Sequence, residues 1–249
     1  MNELKMDRSK EEKLFYRSFF RKVGKAIFDY GMIENGDNVL VGVSGGKDSL
    51  SLLEVLAMRG KDAKYNYTLK AAHIAVENVL YEVDREYIEG LCRRLGVELI
   101  HRTISAEVRK DSDKPACFVC SWNRRKALFE IARETGCNKL ALGHHRDDAV
   151  ESLLMSMMFN ARIASMPAKL SMFSGDLTLI RPLIYLTNEE TLRYSDYRNF
   201  KRQKTTCPYE HATNRRAVQE VIEFMEKLSP QVRSNLFGSM RRVDKEYLL

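Results

Sequence analysis

The segment Val39-Leu-Val-Gly-Val-Ser44-Gly45-Gly46-Lys47-Asp48-Ser49 constrains this chain more than any other stretch. A short apolar run of β-branched residues reads as a buried strand, and the helical pattern that follows starts directly behind two glycines. Gly45 and Gly46 let backbone amides converge on an oxyanion, Ser44 and Ser49 add hydroxyls, and the helix amino terminus adds its partial positive charge. Phosphate binding is the expected use. The GxxxxGK[ST] spacing of a Walker A loop fails, because Val41 stands where its first glycine belongs and Asp48 follows the lysine. A different mode of nucleotide chemistry is implied.

The rest of the chain alternates in the same way. Strand-like runs at Asn38–Val43, Thr68–Val76, Glu98–Ile104 and Lys139–Leu142 are each followed by a helical pattern, at Ser49–Arg59, Val83–Leu95, Cys117–Thr135 and Asp147–Phe159. Such alternation predicts an α/β protein built on a parallel, Rossmann-like sheet whose carboxyl-end loops form the site. An amphipathic helix over Lys10 to Tyr30, stopped at Gly31, precedes it; helices over Asn188–Phe200 and Asn214–Leu228 follow it. The expected organisation is an N-terminal helical segment (1–35), the nucleotide domain (36–187) and a small C-terminal helical region (188–249). Met157, Met158, Met166 and Met172 are read as flexible packing.

Apolar residues at 44% and charged residues at 30% suit a folded domain. The longest apolar runs fall well short of a membrane span, and the polar start MNELKMDRSKEEK has no signal-peptide core, so the cytoplasm is expected. The formal net charge is +7, and residues 193–249 hold twelve Lys and Arg against seven Asp and Glu. A late basic region points to a polyanionic partner.

Five cysteines are an odd number in a chain with no export signal, which favours metal or redox chemistry over disulfides. Cys92 and Cys137 fall in helical patterns and read as small buried thiols. Cys117-Phe-Val-Cys120 opens a helix, where the positive end favours thiolates. A lone CxxC is compatible with zinc, an iron–sulfur cluster or a redox pair. Cys207, in a loop some ninety residues on, supplies a third thiol, and three cysteines suit a [4Fe-4S] cluster with one open iron better than a closed zinc site. His211 is the alternative, since it would complete a Cys₃His zinc site. Gly143-His144-His145-Arg146-Asp147-Asp148 sits between a strand and a helix, where its carboxylates serve equally as caps or as site groups.

In order, SGGKDS, CFVCSWNRRKALFEIA, LALGHHRDDAVESLL, SMPAKL with IRPLIYL, and a late cysteine followed by Arg215-Arg216 resemble one family, the tRNA 2-thiocytidine synthetases (TtcA) of the PP-loop ATPase superfamily. PP-loop enzymes split ATP between its α- and β-phosphates and adenylate a substrate. The resemblance spans roughly Asn38 to Arg216. It implies that Ser44, Gly45, Gly46, Lys47, Asp48 and Ser49 hold ATP, with Lys47 neutralising phosphate charge. Asp48 and Asp148 would hold Mg²⁺, and Gly143, His144 and His73 would line the adenosine pocket. It further implies that Cys117, Cys120 and Cys207 carry a [4Fe-4S] cluster, and that the activity is ATP-dependent replacement of a cytidine 2-oxygen by sulfur, at position 32 of the tRNA anticodon loop.

Arg124, Arg125, Arg215 and Arg216 are the candidate RNA contacts, with Arg241 and Arg242 behind them, and Trp122 is assigned to packing. A sulfur donor such as a cysteine desulfurase and a homodimer are further expectations. Thiolation of a uridine, a PP-loop amidating ligase with a structural zinc, and a non-catalytic zinc-stabilised RNA-binding protein are the alternatives. The zinc-ribbon cysteine pairs of the thiouridine-forming relatives are missing here, which favours the thiocytidine branch.

Overall fold

A computed structural model describes residues 10–62, 65–77, 81–82, 84–105, 116–201, 204–205 and 214–247. Cys207 and His211 lie outside these residues. The chain begins with α1 (Lys10–Asp29), then β1 (Asn38–Gly42), α2 (Lys47–Arg59), β2 (Thr68–Val76), β3 (Tyr81–Glu82), α3 (Arg85–Leu95) and β4 (Glu98–Ile104). It continues through α4 (Ala116–Glu134), β5 (Lys139–Ala141), α5 (Arg146–Asn160), β6 (Lys169–Met172), β7 (Leu177–Ile180), α6 (Asn188–Tyr197), β8 (Lys204–Thr205), α7 (Asn214–Leu228) and α8 (Val232–Ser239).

Six strands form one sheet in the order β4-β2-β1-β5-β7-β6. The first five run parallel, and β6 pairs antiparallel to β7 at the edge. The register places Val39 between Leu69 of β2 and Lys139 of β5. β1 is buried on both faces because its residues alternate between two cores: Val39 and Val41 join the layer of α1, α2, α3 and α6, whereas Leu40 joins Ala127, Ile131 and Ala132 of α4. A third cluster, Val150 and Leu154 against Val218 and Ile222, packs α5 on α7.

α1 and α6 belong to the first core. Phe19 stacks on Tyr194 with ring centroids 4.1 Å apart. Beneath them Glu54 of α2 is 2% exposed. It accepts hydrogen bonds from Tyr194 Oη (2.7 Å) and from Arg198 Nε and Nη2 (2.8 and 2.6 Å). A carboxylate so deep is tolerable only because these donors replace its water.

The predicted helices and parallel strands form close to their expected bounds. α6 stops at Tyr197 rather than Phe200, since Asn199 enters the left-handed region at φ 51° and turns Phe200 inward. The strands β6 and β7, the β3–β8 ladder and α8 were not anticipated. Met157 and Met158 stand half-exposed at the end of α5, not in packing, while Met166 lies against the core.

Candidate nucleotide site

β1 ends at Gly42, and the loop to α2 is closed by its own serines. The Ser44 amide donates to Ser49 Oγ (3.1 Å), the Gly46 amide to Ser44 Oγ (3.3 Å), and the Ser49 hydroxyl to the Gly46 carbonyl (2.9 Å). Gly45 adopts φ 88°, a conformation that L side chains resist. Gly46 is the N-cap of α2 and has no side-chain partner for the helix's first amides, so the positive end stays open toward an anion.

The loop after β5 closes against it. A Cβ on Gly143 would come within 3.0 Å of the Asp48 carbonyl carbon and the Ser49 amide, so only glycine permits this backbone approach. His145 caps α5: its Nδ1 accepts from the Asp148 amide (3.4 Å), and Asp148 returns the contact by accepting from the His145 amide (2.8 Å). The GHHRDD string is therefore cap and site wall at once.

Between the two loops lies a cleft of about 280 Å³ lined by Ser44, Asp48, Ser49, Gly143, His144, Asp148 and, from α4, Arg124 and Leu128. The sheet contributes Ala72 and Ile74. Its size is that of a small ligand's pocket, at the carboxyl ends of the strands where the α/β topology predicts it.

Electrostatics follow from burial. His144 is pushed down to about 4 by burial and by the nearby Arg181 and Arg215, so it is neutral, and its Nδ1 accepts from Arg181 Nε (3.4 Å). With Nδ1 as acceptor, Nε2 carries the hydrogen. Arg181 itself is lowered to about 10 by burial and by Arg125. For Asp148 burial acts to raise the carboxyl, yet His145, its amide and Arg215 outweigh it and hold the group below its ordinary value. Lys47 Nζ donates to Asp48 (2.6 Å) and to the Thr191 hydroxyl (3.0 Å).

The structure brings Ser44, Gly45, Gly46, Lys47, Asp48, Ser49, Gly143, His144 and Asp148 into one locus. His73 is set one residue off the cleft-lining Ala72 and Ile74, with Nδ1 2.8 Å from the Val43 carbonyl, so it braces the loop's first turn. Cys92 and Cys137 are buried as expected, and burial pushes the Cys92 thiol up to about 11.

α4 starts at Ala116, so Cys117 lies in its first turn. Cys120 is half-buried and shares by spacing the helix face of Arg124 and Leu128, which turns toward the cleft. Among the described residues no three metal-binding side chains converge, Cys207 being outside them.

Arg215, with its side chain 48% exposed, donates from Nε to Glu151 (2.5 Å) and from Nη2 to Asp148, so it serves the site carboxylate while still reaching solvent. Gln219 adds a bond to Glu151 (3.0 Å). Arg241 is held by Tyr30 and Tyr185, with its guanidinium 4.9 Å from the Tyr185 ring centroid. Trp122 is not packed but half-exposed. Arg125, Arg216 and Arg242 are exposed, Arg216 near Glu220 at 3.5 Å. Thr191, Arg181 and Glu151 were missed. Only Glu151 gave a sign, falling one turn after Asp147 and Asp148 on an otherwise apolar helix.

A doubly wound α/β sheet with a serine-closed SGGKDS loop opposite a glycine-backed GHHRDD turn defines a PP-loop nucleotide-binding protein. The PP-loop domain family ATP_bind_3 matches residues 11–221. The tRNA-cytidine(32) 2-sulfurtransferase of Syntrophotalea carbinolica is 34% identical over 96% of this chain and 93% of its own length. That of Deinococcus radiodurans is 37% identical over 92% and 78%. The chain belongs to the tRNA-cytidine(32) 2-sulfurtransferase family. Its fold is similar to that of the U34-tRNA thiolase of Methanococcus maripaludis, solved with its [4Fe-4S] cluster, at a TM-score of 0.74 and 24% identity over 94% of this chain and 80% of that one.

Proposed function

We propose that this chain thiolates a cytidine of the tRNA anticodon loop, position 32 in its relatives, by ATP-dependent replacement of the 2-oxygen with sulfur. The observation that carries the proposal is that α4, whose first turns hold Cys117 and Cys120, supplies a wall of the same cleft as the PP-loop. Nucleotide activation and a thiol-rich helix end therefore serve one reacting centre.

A nucleobase oxygen is a poor leaving group. Its attack on the α-phosphorus of ATP forms a P–O bond and breaks the bond to the β-phosphate bridging oxygen, releasing pyrophosphate. Sulfur added at C2 then expels the oxygen as AMP. The amides of the loop over Gly45, Gly46 and Lys47, with the amino terminus of α2, oppose the charge gathering on pyrophosphate, as preorganised donors do in phosphoryl transfer. Lys47 adds a cation that its bond to Thr191 keeps beside the loop. Neutral His144, steadied by Arg181, offers a hydrogen-bond donor to the adenylate without adding charge.

Asp48 and Asp148 face one cleft and fit a hard divalent cation, so these two carboxylates would hold Mg²⁺, which would supply charge neutralisation for the phosphates. Against burial, His145 first and then Arg215 hold the Asp148 carboxyl below its ordinary value, and the Arg215 bond aims it. Cys120, a half-buried thiol at a helix amino terminus on the cleft side, fits a cluster ligand, with Cys117 beside it in sequence and Cys207 as the third. A [4Fe-4S] cluster on these three would supply an open iron for handling sulfide.

Arg124, Arg125, Arg216 and the half-exposed Arg215 would contact the tRNA backbone, and residues 188–249 would act as the basic part of a three-part chain beside 1–35 and 36–187. A cysteine desulfurase is the fitting sulfur source, a homodimer the fitting assembly, and the cytoplasm the fitting compartment. Among the described residues no helix is long and apolar enough to cross a membrane. Anaerobic purification with iron, sulfide and zinc analysis tests the reading. About four irons and four sulfides per chain, lost in Cys117→Ala, Cys120→Ala and Cys207→Ala, are expected for the cluster. Zinc without iron would instead favour an amidating ligase.

A further inference from the structure

α4 has a second face. Its cleft side carries Arg124, Leu128 and Ile131, while the opposite side carries Phe118, Trp122, Arg125, Lys126, Phe129 and Arg133 at helical spacing. Phe118 and Trp122 stand exposed near Arg125, Lys126 and Arg133, while Phe129 is partly buried against the core at the inner edge of this stripe. Phe118 is 51% and Trp122 52% exposed, and Lys126 Nζ stands 5.8 Å from the Trp122 ring centroid. Isolated surface aromatics are ordinary, but Phe118 and Trp122 stand one turn apart on a helix whose other face lines the nucleotide cleft.

The stripe continues past the helix. Phe173, 55% exposed, meets Phe129 edge-on at 5.4 Å. It is presented by the turn between β6 and β7, where Phe173 and Ser174 both adopt the left-handed region, at φ 52° and 56°. Non-glycine residues resist this conformation, and the fold sustains it at both positions while leaving the ring in water. Lys126, Phe129, Arg133 and Phe173 border an open groove of about 490 Å³ with Glu130 and Asp176 on its rim. Glu130 is shared between Arg102 (3.6 Å) and Lys126 (3.9 Å).

Resting on the tRNA reading above, we infer that this outward face of α4, centred on Trp122 and ending at Phe173, is a stacking platform for unpaired nucleotides of the tRNA substrate. Rings interleaved with Lys and Arg suit single-stranded RNA, whose bases stack on aromatics while cations follow the phosphates. A duplex would offer its phosphates but no base faces. Because Cys120 and Arg124 occupy the other side of the same helix, loop nucleotides held on Trp122 would flank the base entering the cleft.

Trp122 is the chain's single tryptophan, so its emission reports this surface alone. The anaerobically purified full chain is titrated with a tRNA transcript carrying cytidine at loop position 32, and with the same transcript whose loop is blocked by a DNA complement. Retention on filters is measured in parallel. The expected result is quenching of Trp122 by the open transcript only. Trp122→Ala should weaken retention about tenfold, within the range of one lost stacking contact, and Phe173→Ala should weaken it severalfold. Trp122→Phe should restore affinity, with ATP binding unchanged throughout. Retention of tRNA with unaltered emission and equal affinity in Trp122→Ala would overturn the inference, leave the thiolation reading standing, and turn the surface toward a protein partner. No retention by the unmodified chain would overturn both.

Discussion

Asp148 shows how one side chain serves several demands. It caps α5 through the His145 amide, takes the Arg215 guanidinium, and still faces the cleft. His144 beside it is neutral because burial near two arginines penalises its charged form. A group that titrates at its ordinary 6.5 unfolded and near 4 folded binds fewer protons in the folded state. Its contribution is therefore complete above the unfolded value and is lost as pH falls toward the folded one. The difference corresponds to about 3 kcal/mol at most. Urea denaturation at pH 7 and pH 4.5 should show a larger loss of stability for the unmodified chain than for His144→Asn. Equal losses would mean that His144 is not held neutral.

Among the elements, α6 fastens α2, and so the PP-loop, to the rest of the protein. The fastening is the Glu54 carboxylate under Tyr194 and Arg198, with Lys47 reaching Thr191 on the same helix. Removing one partner of a buried ion pair leaves the other charge unanswered, so Arg198→Ala should cost about 3–5 kcal/mol in denaturant unfolding. Tyr194→Phe, which removes only a hydroxyl, should cost about 1 kcal/mol. Comparable small losses for both would show that the pair is solvated.

The element scale also explains what the sequence revealed. β1 and α2 were legible because an apolar run meets two glycines, and α5 because its cap residues stand beside a helical pattern. β7 was missed because the four residues Leu177-Thr-Leu-Ile180 are too short a run to carry a periodicity that distinguishes a strand from a loop. Nothing local marks Glu54 in the sequence of α2, since its partners lie some 140 residues away. The carboxylate contacts of Arg215 were hidden for the same reason: only the packing of α7 on α5 brings it to Glu151 and Asp148.

Over the whole molecule, the parallel sheet sets the PP-loop and the GHHRDD turn side by side at its carboxyl edge, and α4 lines the cleft between them through Arg124 and Leu128. Its two faces divide the work, one toward ATP and one toward solvent and the proposed RNA platform. The basic excess lies late in the chain, yet part of it is spent on Asp148, Glu151 and Glu54 rather than offered to a polyanion. Net charge alone does not locate an RNA surface, and the exposed rings on α4 are the feature on which the proposed platform rests.

The most direct test of the account is nucleoside analysis of tRNA after anaerobic incubation of the reconstituted chain with ATP, Mg²⁺, a reductant and sulfide. The account predicts 2-thiocytidine formed with release of AMP and pyrophosphate, and its loss in Asp148→Asn and in each of Cys117→Ala, Cys120→Ala and Cys207→Ala. Consumption of ATP without any thiolated nucleoside, or product unaffected by the cysteine variants, would contradict it.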